Sequence, residues 1–319
     1  MQAPELRGPL PVRNQHPAQL TVMHLDPAGA GVLAAGDTSV RTDFAYTSLF
    51  LFGGGPQGSW QMDGEVLRAA VDAKLGLGGG LQLGLQLPFA HTSGGFLDSF
   101  IIDYHELFGL PDQDRSTNPR DQFLVEAGQG GQTVWAMERS SAELLDVPVH
   151  VAWQLLPPAE RTLGLTLRAG VELPTGDPRT GYGNGQLDAA FGVIGEYRFG
   201  GVGCTAQVQH TLAGTPSTSR SVGFRFADVT SAGVGFELPV QEDLHLLVQA
   251  EWETSTLRDI DARLASRDQA LLWVGGRWSP SPRWSLEVGF AEDLVAKASP
   301  DFTAWVGMEW RLGGAGSAP

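Results

Sequence analysis

A single cysteine, Cys204, in 319 residues excludes an intrachain disulfide framework. Charge is sparse too, at 18% of residues, and the basic sign is the scarcer: 21 Lys and Arg stand against 36 Asp and Glu, a formal net charge of -15. With no basic surplus to neutralise phosphates, nucleic acid is excluded as a partner. No stretch approaches the roughly 18 consecutive apolar residues of a membrane helix, and mean hydropathy is -0.08. A β-barrel is the membrane architecture that hides in such numbers, because only alternate residues face lipid. The opening Met1-Gln2-Ala3-Pro4 has neither a basic nor an apolar leader region. For an exported protein this implies a signal peptide already removed, with Met1 an added start.

What is present is glycine, with 42 residues, together with 9 Trp, 15 Phe and 4 Tyr. That mixture suits many strands, tight turns and aromatic anchors, and points to an all-β fold. From Leu163 to Leu173, Leu163, Leu165, Leu167, Ala169, Val171 and Leu173 fall on one face, and Thr166, Arg168 and Glu172 on the other with two glycines. Period-2 alternation over about eleven residues fits a tilted spanning strand. The pattern recurs: Leu81, Leu83, Leu85, Leu87 and Phe89 oppose Gln82 and Gln86, and Leu244, Leu246, Val248, Ala250 and Trp252 oppose His245, Gln249, Glu251 and Glu253. A soluble β-sandwich would also alternate, but with shorter strands and a less consistently apolar outer face.

Short joins at 78–80, 157–161, 200–201, 239–243 and 279–283 alternate strictly with longer ones at 53–64, 92–146, 174–185, 214–221, 254–268 and 293–301. The expected fold is a transmembrane antiparallel up-and-down β-barrel of about twelve strands over residues 38–312, followed by a flexible tail, 313–319. Short turns belong to the periplasmic side and long loops to the exterior. The final strand alternates Phe302, Ala304, Val306, Met308, Trp310 and Leu312. Its Gly307-Met308-Glu309-Trp310-Arg311-Leu312 resembles the C-terminal targeting signal of outer-membrane barrels. This implies the Gram-negative outer membrane as location, its lipids as surroundings and the barrel-assembly machinery as a partner. Trp305 departs from the pattern by standing where a polar residue is usual.

Residues 1–37, with Pro4, Pro9, Pro11, Pro17 and Pro27, break regular structure and form either a plug in the lumen or periplasmic mouth, or a terminal extension. In the longest join, Phe96, Leu97, Phe100, Ile101, Tyr104 and Phe108 recur at helical spacing before Gly109 and Pro111. They predict a short extracellular amphipathic helix whose apolar residues Phe96, Phe100, Ile101, Tyr104 and Phe108 either bind a small hydrophobic ligand or pack on the rim. Asp103, His105 and Glu106 scatter around that helix, so neither a metal nor another cofactor is expected. Segments 121–127 and 132–137 predict a hairpin projecting from the rim. The inward set comprises Arg68, Asp72, Lys74, Arg168, Glu172, Asp188, Glu196, Arg198, Glu251, Arg277, Glu287, Glu309 and Arg311, joined by Arg41, Asp43, Glu237 and Glu253. These groups either neutralise one another across neighbouring strands or line a polar conduit.

Gly8-Pro9-Leu10-Pro11-Val12-Arg13-Asn14, Gly94-Gly95-Phe96-Leu97-Asp98 and Gly109-Leu110-Pro111 resemble a family of uncharacterised proteobacterial outer-membrane proteins, a domain of unknown function, over nearly the whole chain. Leu173-Pro174-Thr175-Gly176-Asp177 with Gly181-Tyr182-Gly183-Asn184-Gly185-Gln186-Leu187-Asp188 is similar to a loop of barrels associated with aromatic-compound degradation, presumed transporters of hydrophobic molecules. Neither resemblance implies a catalytic residue. The function expected is therefore a passive channel or transporter for small, hydrophobic molecules. A lipid-modifying enzyme would need a nucleophile and base from His91, Ser93 and His150, around which no known arrangement is present. A structural or adhesive surface barrel is the remaining reading.

Overall fold

The computed structural model describes residues 6–108, 118–140, 142–294, 298–300 and 302–313. Gly109-Leu110-Pro111 and the tail from 314 lie outside them. In chain order the strands are β1 (Thr38–Gly54), β2 (Gly58–Gly78), β3 (Leu81–Ser93), β4 (Leu124–Gln129), β5 (Gln132–Met137), β6 (Glu143–Leu144), β7 (Val147–Leu156) and β8 (Leu163–Leu173). They continue with β9 (Asp188–Phe199), β10 (Val202–Leu212), β11 (Val229–Pro239), β12 (Leu244–Glu253), β13 (Gln269–Ser281), β14 (Trp284–Asp293) and β15 (Phe302–Leu312). The helices are α1 (Leu97–Phe108) and the short α2 (Ser217–Ser221).

Alternation along each strand produces the two faces of the wall. On β3, Leu81, Leu83, Leu85, Leu87 and Phe89 are exposed outward while Gln86 is buried inward. On β8, Leu163, Leu167, Val171 and Leu173 are exposed, and Thr166, Arg168 and Glu172 are buried. The antiparallel ladder closes because β1 pairs with β2 on one side and with β15 on the other, from Thr38↔Leu312 to Ser48↔Phe302. Twelve strands complete the ring, leaving no open edge in it. The turn between β9 and β10 places Gly200 and Gly201 at φ 57 and 82, the paired positive values that a two-residue hairpin demands. Near the short turns, Trp278 meets Trp284 edge-on at 5.3 Å and Tyr197 stacks with Phe199 at 6.2 Å. Exposed Trp153 and Trp310 continue this belt of aromatics.

Two joins differ from expectation. Residues 53–64 are not a loop: β1 and β2 stay paired to Gly54↔Ser59. Inward Leu49, Leu51, Trp60 and Met62 are buried there, so apolar contact prolongs the hairpin beyond the ring. The hairpin β4–β5 does not project freely. It docks through β4 onto this prolonged part of β2, from Gly58↔Gln129 to Asp63↔Leu124, which satisfies backbone groups that β3 no longer reaches. Gly64, at φ 148, marks the change of partner from β3 to β4.

Candidate functional site: the occupied lumen

A twelve-stranded ring is too wide for wall side chains alone to fill. Residues 6–37 run through its interior as a U. The rising arm starts at the short turns, where Arg7 donates to the carbonyl of Pro282 and the N–H groups of Arg7 and Gly8 donate to Glu237 at 2.8 and 2.7 Å. Leu10 exchanges two hydrogen bonds with Gln249, at 2.8 and 3.1 Å, and Asn14 donates to Glu253 at 2.8 Å. A 3-10 turn over Gln19–Thr21 reverses the chain at the long-loop end. There Arg13 donates to the carbonyls of Gln19 and Val22, and Gln19 exchanges bonds of 3.0 Å with the backbones of Thr254 and Thr256. The descending arm follows the opposite wall. Met23, Leu25, Ala30 and Leu33 donate their N–H groups to Asp188, Gln209, Glu196 and Gln82 at 2.8–3.1 Å.

The segment thus hangs from wall side chains rather than from a backbone ladder. Prolines explain the choice, since Pro9, Pro11, Pro17 and Pro27 have no N–H to contribute to a strand. Inward glycines make the room. A side chain at Gly289 would meet Leu10 at 2.8 Å, and one at Gly170 would meet Met23 at 2.5 Å. Leu10 and Val12 pack with Leu247, Leu271, Trp273 and Trp305, so the tryptophan at a usually polar position is buried against this segment.

The two ends of the lumen differ in chemistry. At the long-loop end Ala18, Leu20 and Val22 enter an apolar cluster with Leu49, Trp60, Met62, Val134, Trp135, Tyr182, Phe224, Phe226, Leu257 and Ile260. These residues come from several separate joins and cap the barrel. His16 meets Trp60 edge-on at 5.2 Å, and neither of its ring nitrogens has a hydrogen-bond partner. Burial holds its pKa down at about 3, so the ring is neutral. The loop after β8 is clamped to the plug. Asp146 accepts from the N–H groups of Gly176 and Asn184 at 2.8 and 2.9 Å, and Asn184 donates to the carbonyl of Thr21 and to Asp188, each at 2.9 Å. Burial pushes the Asp146 carboxyl up to about 6 against those two donors.

At the short-turn end lies a chamber of about 310 Å3 between the two arms. Lys74, Arg168, Glu196, Arg198, Arg277, Glu309 and Arg311 line it, together with Arg7, Arg41 and His150. A chain of ion pairs supports its wall: Arg277 binds Glu237 at 2.7 Å and Glu287 at 2.6 Å, Arg41 binds Glu287, and Glu309 is shared by Arg7, Arg41 and Arg311 at 3.5–3.6 Å. The other inward residues singled out in the sequence lie elsewhere. Arg68 binds Asp43 at 3.3 Å and Gln86 at 2.6 Å. Asp72 pairs with Lys74, Glu251 accepts from Gln249, Glu172 is buried, and Asp188 holds the plug. The sequence pattern offers these groups as wall partners of one another or as conduit lining, and does not show the anchoring role of Asp188, Glu196, Glu237, Gln82, Gln209 and Gln249. Glycines at inward strand positions were the available signal.

The amphipathic helix is not part of this chamber. Outward Glu65 accepts the N–H groups of Phe96 and Leu97 and binds Tyr46, which seats the start of α1 on the outside of the wall. Ile101 is buried, while Phe96 and Leu107 are 70% and 77% exposed. The side chains of Phe100, Tyr104 and Phe108 lie outside the described residues. His91 and Ser93 share the outer face of β3, whereas His150 lies inward, its ring over Gly84. The wall therefore separates the two histidines.

A family model described as a protein of unknown function (DUF3187) matches residues 3–312. No curated protein matches the chain. Among solved structures it is similar to the COG4313 outer membrane channel from Pseudomonas putida F1, with 10% identity, 91% of this chain and 100% of that one covered, and a TM-score of 0.58. The NanC porin gives 8% identity, 86% and 100% coverage and 0.49, and the P. putida toluene transporter TodX 10%, 93%, 91% and 0.40. At such identities the likeness to the channel concerns the fold.

Proposed function

The chain belongs to the DUF3187 family, and on that premise we propose that it is a passive channel or transporter for small molecules whose lumen is gated by residues 6–37. Its place is the Gram-negative outer membrane, with the short turns toward the periplasm and β15 engaged by the assembly machinery during insertion. The observation that carries the reading is the manner in which the segment is held. Side-chain hydrogen bonds of about 1 kcal/mol each, such as those from Leu10 to Gln249 and from Leu25 to Gln209, can be exchanged one by one without opening the sheet.

A small hydrophobic solute is the second reading. It is favoured by the apolar cap around Leu20 and Trp60 and by exposed Phe96, just before α1, and Leu107 on it. Catalysis has less support, because His91 and Ser93 stand across the wall from His150. Single-channel recording and liposome swelling test the proposal. Deletion of residues 1–37 should convert a closed or rarely opening barrel into one with large, steady conductance. A deletion variant that folds yet passes neither ions nor small solutes contradicts it.

A further inference from the structure

The protein carries an excess of negative charge, but its chamber does not. Seven cationic side chains line the cavity against Glu196 and Glu309. Asp72, Glu237 and Glu287 bind Lys74, Arg277 and Arg41 from behind, and the face turned to the cavity is predominantly cationic among the described residues. Asp26, near Arg168, directs its carboxylate to His24 and Gln86 instead. Arg168 itself is buried, and its hydrogen bonds go to the backbone carbonyls of Leu25 and Asp26. Among the described residues no carboxylate lies within ion-pair distance of it. The Nε of Arg41 likewise has no partner. Buried guanidinium groups left with donors to spare are costly unless an acceptor arrives.

We infer that this chamber binds a small multivalent oxyanion, one bearing two or more carboxylate or phosphate groups, that enters from the short-turn end. The inference rests on the conduit reading above. Access is on that side, where Lys74, Arg198 and Arg311 keep 23%, 24% and 27% of their side chains exposed. The volume of about 310 Å3 holds many times the roughly 10–15 Å3 that one water needs, which leaves room for a tricarboxylate. Farther up, Asp43, Glu172, Asp188 and Glu253 are buried in the lumen wall and the apolar cap closes the path, so an anion is held in the lower half.

The test is calorimetric titration of the intact, detergent-purified chain with citrate at constant ionic strength, with spermidine and glucose as controls. Saturable binding of citrate alone is expected, weakened about tenfold or more in Lys74→Gln/Arg198→Gln and unchanged in Arg283→Gln, an exposed turn residue outside the chamber. Heat-modifiable gel mobility reports whether each variant folds. Should the double variant not fold, the wild-type comparison of citrate with its controls still decides. A citrate titration matching that of sodium chloride, or equal binding by a folded double variant, overturns the inference. A barrel that conducts after loss of residues 1–37 but ignores citrate loses the anion site and keeps the conduit. One that binds citrate but never conducts does the reverse.

Discussion

The two halves of the lumen are filled by opposite means. Toward the long loops, the turn of the plug is buried among Leu49, Trp60, Trp135, Phe224 and Leu257, a packed apolar core that excludes water. Toward the short turns, the same segment borders a basic chamber and is tied by charged pairs and single hydrogen bonds. A dry cap resists opening because any gap forfeits packing contacts on every side. A wet, charged floor can trade one partner for another. One continuous segment is thus packed into an apolar core above and borders a polar chamber below.

The contrast can be broken most severely by removing its shared element. Loss of residues 6–35 should empty both halves, raise conductance in planar bilayers and lower the thermal stability of the remaining barrel. Trp60→Ala attacks the cap alone. With Trp60 1% exposed, the loss should be about 3–5 kcal/mol, read by denaturant unfolding, with faster amide exchange over residues 16–22 and little change around Arg277. Glu237→Ala attacks the floor, leaving Arg277 and His245 short of a carboxylate and the N–H groups of Arg7 and Gly8 without their acceptor. Breaking such a buried pair costs about 3–5 kcal/mol, and the exchange should rise over residues 7–10 while the cap stays closed.

Acidification sharpens the comparison by acting on the cap. His16 is held at about 3 when folded against an ordinary 6.5. Because the folded value is the lower one, its contribution to stability is intact above about pH 6.5 and is lost as pH falls toward about 3. Between pH 7 and 5 the contribution of His16 should fall by about 2 kcal/mol, seen as faster exchange of residues 14–20, while Asp146, raised to about 6, acts in the opposite direction as it protonates; His16→Phe should remove the first effect and leave the second. The smallest effect is expected from Gln82→Ala, which removes one acceptor from Leu33 and should cost about 1 kcal/mol with no change in the cap.

The wall was legible because it obeys a period. Leu81 to Phe89 and Leu163 to Leu173 announce their faces by alternation, and strict exchange of short and long joins sets twelve strands and the side of each turn. The prolonged β1–β2 hairpin looks like a loop in the sequence because its glycines, at 53–55, 58 and 64, resemble a turn when the burial of Trp60 and Met62 is unknown. The path of the plug has no period at all. Its register is set by single acceptors such as Asp188, Gln209 and Gln249, spread over distant strands, and only the folded ring brings them together. Trp305 and the inward glycines at 170 and 289 were the traces it left in the sequence. The chamber was invisible for a related reason: its cations come from seven positions on the plug and several strands, and only the closed ring brings them together.

Amide hydrogen exchange at the backbone N–H groups of Leu10, Met23, Leu25 and Ala30 in the intact barrel tests the account most directly. Held by Gln249, Asp188, Gln209 and Glu196, these amides should exchange far more slowly than a solvated chain. Exchange at the rate of an unstructured peptide would show that the segment does not occupy the lumen, and would contradict it.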